Sequence, residues 1–206
     1  MLTLVIGGAA SGKSAYAEHL AVQSGGPRYY LATMQVWDAE CAARVAKHRA
    51  MRAQKQFATV ECPQNLHLVR LPQQGTALLE DLGNLAANEL YRPDGSCLPP
   101  RQAVEKMLAG IEAIAAQCNH LIIVSNEVFS GGADYAGETD LYLQALAMVN
   151  NAVAAKADAV IALLTSDEAR APAFAAQALS SLGRILTRAG PTPHRRHAPS
   201  TVWTPA

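Results

Sequence analysis

The chain has 206 residues, half of them apolar and only 5% aromatic, and its Lys+Arg and Asp+Glu totals are equal at 17. That length fits one domain with a full core plus an extension, and the Ala-, Leu- and Val-rich composition suits helices on a buried parallel sheet better than a β-sandwich. The balanced charge excludes the electrostatic footprint of a nucleic-acid binder, and no apolar run reaches the ~18 residues of a membrane span.

In chain order, residues 2–6 form an apolar run that predicts a strand, followed by a glycine-rich loop at 7–14 and a helix over 13–23. Because the first strand runs directly into that loop, no secretory signal fits ahead of it, and the expected location is cytoplasmic. A strand is predicted at 28–33, a strongly charged helix at 38–54 and a short strand at 59–62. Residues 76–80 (TALLE) read as a compact buried strand with a helix at 82–90 behind it. Pro93, Asp94, Gly95, Pro99 and Pro100 make 91–100 a loop. A helix is predicted at 101–118, a buried strand at 121–125 (LIIVS), a long helix at 138–155 and a last strand at 159–164. Strand–helix–strand alternation of this kind implies right-handed crossovers and a mainly parallel sheet covered on both faces. Residues 1–164 are therefore expected to form one α/β domain. Beyond them, 171–186 has the pattern of one more helix, and 189–206, with four prolines and Arg195-Arg196, reads as a partly disordered extension. The four cysteines (Cys41, Cys62, Cys97, Cys118) form no CxxC pair and read as buried thiols of a reducing compartment.

Gly7, Gly8, Ala9, Ala10, Ser11, Gly12, Lys13 and Ser14 match the phosphate-binding pattern GxxxxGK[ST] in full. The glycines let backbone N–H groups turn inward around phosphate oxygens. Lys13 supplies a point charge between the β- and γ-phosphates, the Ser14 hydroxyl completes a Mg²⁺ shell, and the helix opening at Lys13 offers its positive end to the anion. A chance match in a chain of this length arises roughly once in a hundred, and the strand before and helix after make it rarer still. The fold class is thus α/β, a P-loop NTPase-like sheet.

Helical spacing puts Arg44, His48 and Arg52 on one face, with Lys47, Arg49 and Lys55 nearby and no acid between Arg44 and Lys55. An imidazole among guanidiniums suits nucleophilic attack on an α-phosphate, the arginines stabilising the charge that develops. A solvated basic helix with His48 as a bystander is the competing reading. At the strand ends, Glu80-Asp81 and Asn126-Glu127 stand where open parallel sheets place ligand sites. There an acid serves as metal-water holder or base, or else Asp81 and Asn126 simply cap helices. Glu61 has a weaker claim of the same kind.

The ordered series GGAASGKSAYAE, YYLAT, DAECAARVAKHRAMR, FATVE, LLEDLGNLAANEL, SNEVFSGGADYAGETDLYLQAL and VNNAVAAKADAV resembles the bifunctional adenosylcobinamide kinase/adenosylcobinamide-phosphate guanylyltransferase family of cobalamin biosynthesis. The resemblance runs from Met1 to about Leu164 and is far more specific than the phosphate loop alone. It implies phosphorylation of the aminopropanol hydroxyl of adenosylcobinamide by a nucleoside triphosphate, ATP or GTP. Transfer of GMP from GTP through a guanylylated histidine then follows. It maps that histidine onto His48, basic residues onto Arg49 and Arg52, and nucleotide contacts onto 7–14, Leu31, Ala32, Thr33, Glu61 and Glu80. Mg²⁺ is expected at Ser14 and Glu80, and a homotrimer is implied. Ala10 stands where an arginine is frequent, and 165–206 lacks the family's usual short ending. The walls of an open, mostly uncharged cobinamide cleft are expected at 84–88 and 129–137. A plain P-loop kinase of another hydroxyl substrate, with no covalent step, is the alternative. A nucleotide-dependent regulatory module is less favoured, because no distinct switch region is present.

Overall fold

The computed structural model describes residues 1–35, 46, 54–127 and 138–163. Strand β1 (Leu2–Gly7) leads into helix α1 (Lys13–Gln23), then β2 (Arg28–Ala32) and β3 (Phe57–Glu61). Next come β4 (Thr76–Glu80), α2 (Leu82–Leu90), α3 (Pro100–Ala115), β5 (His120–Asn126), α4 (Glu138–Lys156) and β6 (Ala159–Leu163). The strands make one six-stranded sheet in the order β3-β2-β4-β5-β1-β6. Every pairing is parallel, so the carboxyl ends of all six strands share one edge.

The sheet is covered on both faces because its central strands are apolar at successive positions. Leu4, Leu31, Leu79 and Ile123 enter one core, while Val5, Ala32, Leu78 and Val124 enter the other. A pleated strand sends neighbouring side chains to opposite faces, so an unbroken apolar run needs a layer on each side. Helix α1, with Ala17 and Ala21 buried, packs on the second face. Helices α2, α3 and α4 share the first, through Leu82, Leu85, Met107, Ile111, Leu146 and Val149. Tyr30 and Phe57 meet edge-to-face across β2 and β3, with ring centroids 6.0 Å apart.

The element order follows the expected alternation, with differences at the margins. Pro100 is not in the loop but opens α3, where its missing N–H costs nothing and its fixed φ suits a first turn. That helix ends at Ala115, and a 3₁₀ turn at Leu66–Leu68, buried through Leu66, precedes β4 unannounced by the sequence. Of the cysteines expected to be buried, Cys62 is, whereas Cys97 and Cys118 are only half-buried. His120 is the buried first residue of β5. Its ring nitrogens lie 2.9 Å from the Thr3 and Ser24 hydroxyls. Beside it the Met1 ammonium donates to Asn119 O at 2.9 Å, so this amino edge is tied down separately from the loop edge.

The charged helix predicted over 38–54 lies outside the described residues apart from Ala46, which is helical, and Gln54, in a turn. The extension predicted at 165–206 also lies outside them. Among the described residues no helix is long and apolar enough to cross a membrane.

Candidate active site

The loop after β1 is shaped by its backbone. Gly7, the last residue of β1, is in register with Asn126 on one side and Leu163 on the other. A Cβ there would lie 2.6 Å from both Leu163 O and Ser11 Oγ, closer than real Cβ contacts allow. Ala10 and Gly12 both have left-handed φ, 58° and 81°, which turns the chain back toward the helix. No side chain caps the start of α1 and its first turn carries no acid. Its first N–H groups and the positive end of its dipole are therefore left for an anion. The Ser11 hydroxyl is buried in this loop with no protein partner. Lys13 folds back so that Nζ donates to Gly8 O at 3.0 Å. Gly8 is buried, whereas Ala9 and Ala10 are exposed at the tip.

Facing the loop is the end of β4. The Ser14 hydroxyl donates to Glu80 Oε1, and Glu80 Oε2 is buried without a partner. Burial pushes the Glu80 carboxyl up to about 7, against the Ser14 hydrogen bond; Asp81 and Glu18 push it further and Lys13 opposes them. Two hard oxygens side by side, one orphaned, suit a small oxygen-seeking cation such as Mg²⁺.

Ala32 is in register with Glu61 on one flank and Glu80 on the other, so the mapped residues of β2, β3 and β4 converge on one edge. Glu61 is exposed there. Leu31 does not present its side chain to this edge, because strand alternation buries it completely in the core. Thr33 is also fully buried, its hydroxyl 2.8 Å from Glu80 O and 2.9 Å from Asp81 O. Its role is to hold the β4–α2 junction, where the Glu80–Asp81 peptide is cis.

For Asp81 the structure shows the cap of the two readings. It caps α2, accepting from Asn84 N at 2.7 Å on Oδ1, while Oδ2 accepts from Asn126 Nδ2 at 3.3 Å. Asn126 caps nothing among the described residues; its carbonyl accepts from Asn150 at 3.4 Å, and Asn150 also takes the Ser125 hydroxyl at 2.6 Å. Tyr142 of α4 completes the group, its phenol pushed upward by burial and then by the Asp81 carboxylate. Tyr142 escaped the sequence reading because nothing local distinguishes it from other half-buried helix positions. Of the asparagines expected to line a cleft, Asn88 spends its amide on Thr33 O and Pro63 O at 2.8 and 3.0 Å.

His48, Arg44, Arg49, Arg52 and the segment 129–137 lie outside the described residues. Lys55, read as part of an unpaired basic stripe, is paired with Glu18 of α1.

Residues 3–166 match a family model described as cobinamide kinase / cobinamide phosphate guanyltransferase. The bifunctional adenosylcobalamin biosynthesis protein CobP of Pseudomonas aeruginosa is 32% identical over 78% of this chain and 91% of its own length. A protein called bifunctional adenosylcobalamin biosynthesis protein CobU in Escherichia coli is 36% identical over 64% of this chain and 77% of its own. Its namesake in Salmonella typhimurium is 31% identical over 78% and 93%.

Proposed function

The chain belongs to the cobinamide kinase / cobinamide phosphate guanyltransferase family, and from that premise we propose that loop 7–14 grips the triphosphate for both of its reactions. It is a transferase of cobalamin biosynthesis that phosphorylates cobinamide and then guanylylates cobinamide phosphate. The observation that carries the site assignment is the Ser14 hydroxyl bonded to Glu80 at the mouth of the uncapped α1 N-terminus.

In the kinase step the acceptor hydroxyl oxygen attacks the γ-phosphorus and gives its proton to solvent, the bond to the β-phosphate bridging oxygen breaks, and the nucleoside diphosphate leaves. The loop N–H groups hold the phosphates. Lys13, released from Gly8 O, moves its charge onto the β- and γ-oxygens, where negative charge accumulates. Ser14 and Glu80 are the residues that would hold Mg²⁺, which when bound neutralises triphosphate charge.

In the second step His48 attacks the α-phosphorus of GTP and pyrophosphate departs, leaving GMP on the imidazole. The cobinamide phosphate oxygen then displaces the imidazole. Arg49 and Arg52 offset the charge on the transferring group. Support for this role is the RxxxH spacing at Arg44–His48 together with the family's guanylyltransferase activity. Glu61 and the backbone of Ala32 and Thr33 bound the nucleotide on its β2–β3 side. A cytoplasmic homotrimer acting on small molecules completes the reading, the trimer being what the family resemblance implies.

Incubation with GTP labelled at the α-phosphate tests the covalent step. Acid-labile, base-stable label is expected on the wild-type chain and none on His48→Ala, which still phosphorylates cobinamide. Equal labelling of both proteins takes the covalent step away from His48, and no label on either sinks the covalent intermediate.

A further inference from the structure

Glycine at position 83 lets three polar groups close in on the backbone of α2. A Cβ built there would lie 2.9 Å from Asn126 Nδ2, 3.0 Å from the Tyr142 hydroxyl and 3.2 Å from Asp81 Oδ1. Asn126 ends β5 in register with Gly7, the first residue of the phosphate loop, and Asp81 directly follows Glu80. The group therefore sits on the edge that holds the triphosphate, on the β5–α4 side. Asp81, Asn126 and Tyr142 are all half-buried, so each reaches solvent.

We propose that Asn126, Tyr142 and Asp81 form the seat that receives the uncharged hydroxyl or primary amide groups of the acceptor beside the triphosphate.

The donor and acceptor inventory fits that chemistry. Asn126 has a second N–H and a side-chain oxygen beyond its 3.3 Å bond to Asp81, a length past the usual N–H···O range. Amides and hydroxyls both donate and accept, as this trio does.

The inference rests on the cobinamide kinase reading, so turnover and binding are measured separately. Tyr142→Phe removes one polar atom. Gly83→Ala puts a methyl where these groups stand and forces the Asn126 amide or the Tyr142 hydroxyl aside, and alanine is the better helix former, so α2 is kept. A rise of about tenfold in KM for adenosylcobinamide in either variant is expected, the size of one lost hydrogen bond, with the nucleotide KM within about twofold. The seat is refuted if neither variant changes the acceptor KM, or if acceptor and nucleotide KM rise together. Equilibrium binding of adenosylcobinamide without nucleotide gives the second readout. A wild type that binds without phosphorylating sinks the kinase reading alone, and the affinities of the same variants still decide the seat.

Discussion

Replacing Glu80 by glutamine should stabilise the ligand-free protein, and by an amount that depends on pH. The carboxyl is held at about 7 rather than the ordinary 4.5, because ionising it means charging a group with one oxygen buried and unpartnered. The folded state therefore binds a proton across the interval in which the unfolded state has released it. With a raised carboxyl, stability is greatest below the unfolded value and falls as pH rises toward the folded one. The whole interval corresponds to about 3 kcal/mol at about 1.4 kcal/mol per tenfold. At pH 8 nearly all of that is lost from the wild type, and at pH 5 less than about 1 kcal/mol of it. Glutamine keeps an oxygen for the Ser14 hydroxyl and never ionises, and any cost of burying its amide is the same at both pH values. Urea unfolding with EDTA present should show the variant gaining about 2–3 kcal/mol on the wild type between pH 5 and pH 8, or roughly 4–12 °C in Tm. Nucleotide affinity in Mg²⁺ should fall at the same time, a loss of function accompanying a gain in stability. A difference between the proteins that is equal at the two pH values, within about 0.5 kcal/mol, would falsify the assignment of the strain to this carboxyl.

Gly7→Ala should cost about 1–3 kcal/mol in urea unfolding, because the new methyl meets the Leu163 carbonyl as well as the Ser11 hydroxyl and backbone cannot swing aside. It should also abolish measurable triphosphate binding by calorimetry; a variant that binds and unfolds like wild type refutes the cramped loop. At the opposite edge, burial and the nearby N-terminal ammonium hold the His120 imidazole below its ordinary 6.5, against Asp158. Its neutral form thus belongs to the fold, so its contribution is complete above pH 6.5 and is lost as pH falls through the lowered folded value. His120→Gln should flatten that acid limb of the stability profile, and an unchanged limb refutes the account.

Much of the fold was legible locally. The bounds of α1, α2 and β4 follow from apolar periodicity and turn residues alone, and the phosphate loop is a continuous run whose chemistry is written in eight neighbours. Pro100 and the 3₁₀ turn at Leu66–Leu68 were less legible, because a proline signals a loop and a helix start equally well and a single turn has no period to detect. Asp81 looked either like a cap or like a functional acid, and the structure shows it capping α2 through Asn84 N.

The sequence by itself determined where the phosphate-loop pattern lies, at 7–14, since a backbone cradle needs only consecutive residues of the right flexibility and one lysine. Tertiary structure alone decided what stands opposite. Glu80 reaches Ser14 from 66 positions away, and Tyr142 meets Asp81 and Asn126 around Gly83, because the sheet order β3-β2-β4-β5-β1-β6 departs from chain order. That order is set by which apolar faces bury one another, a property of the packed whole that no local pattern carries.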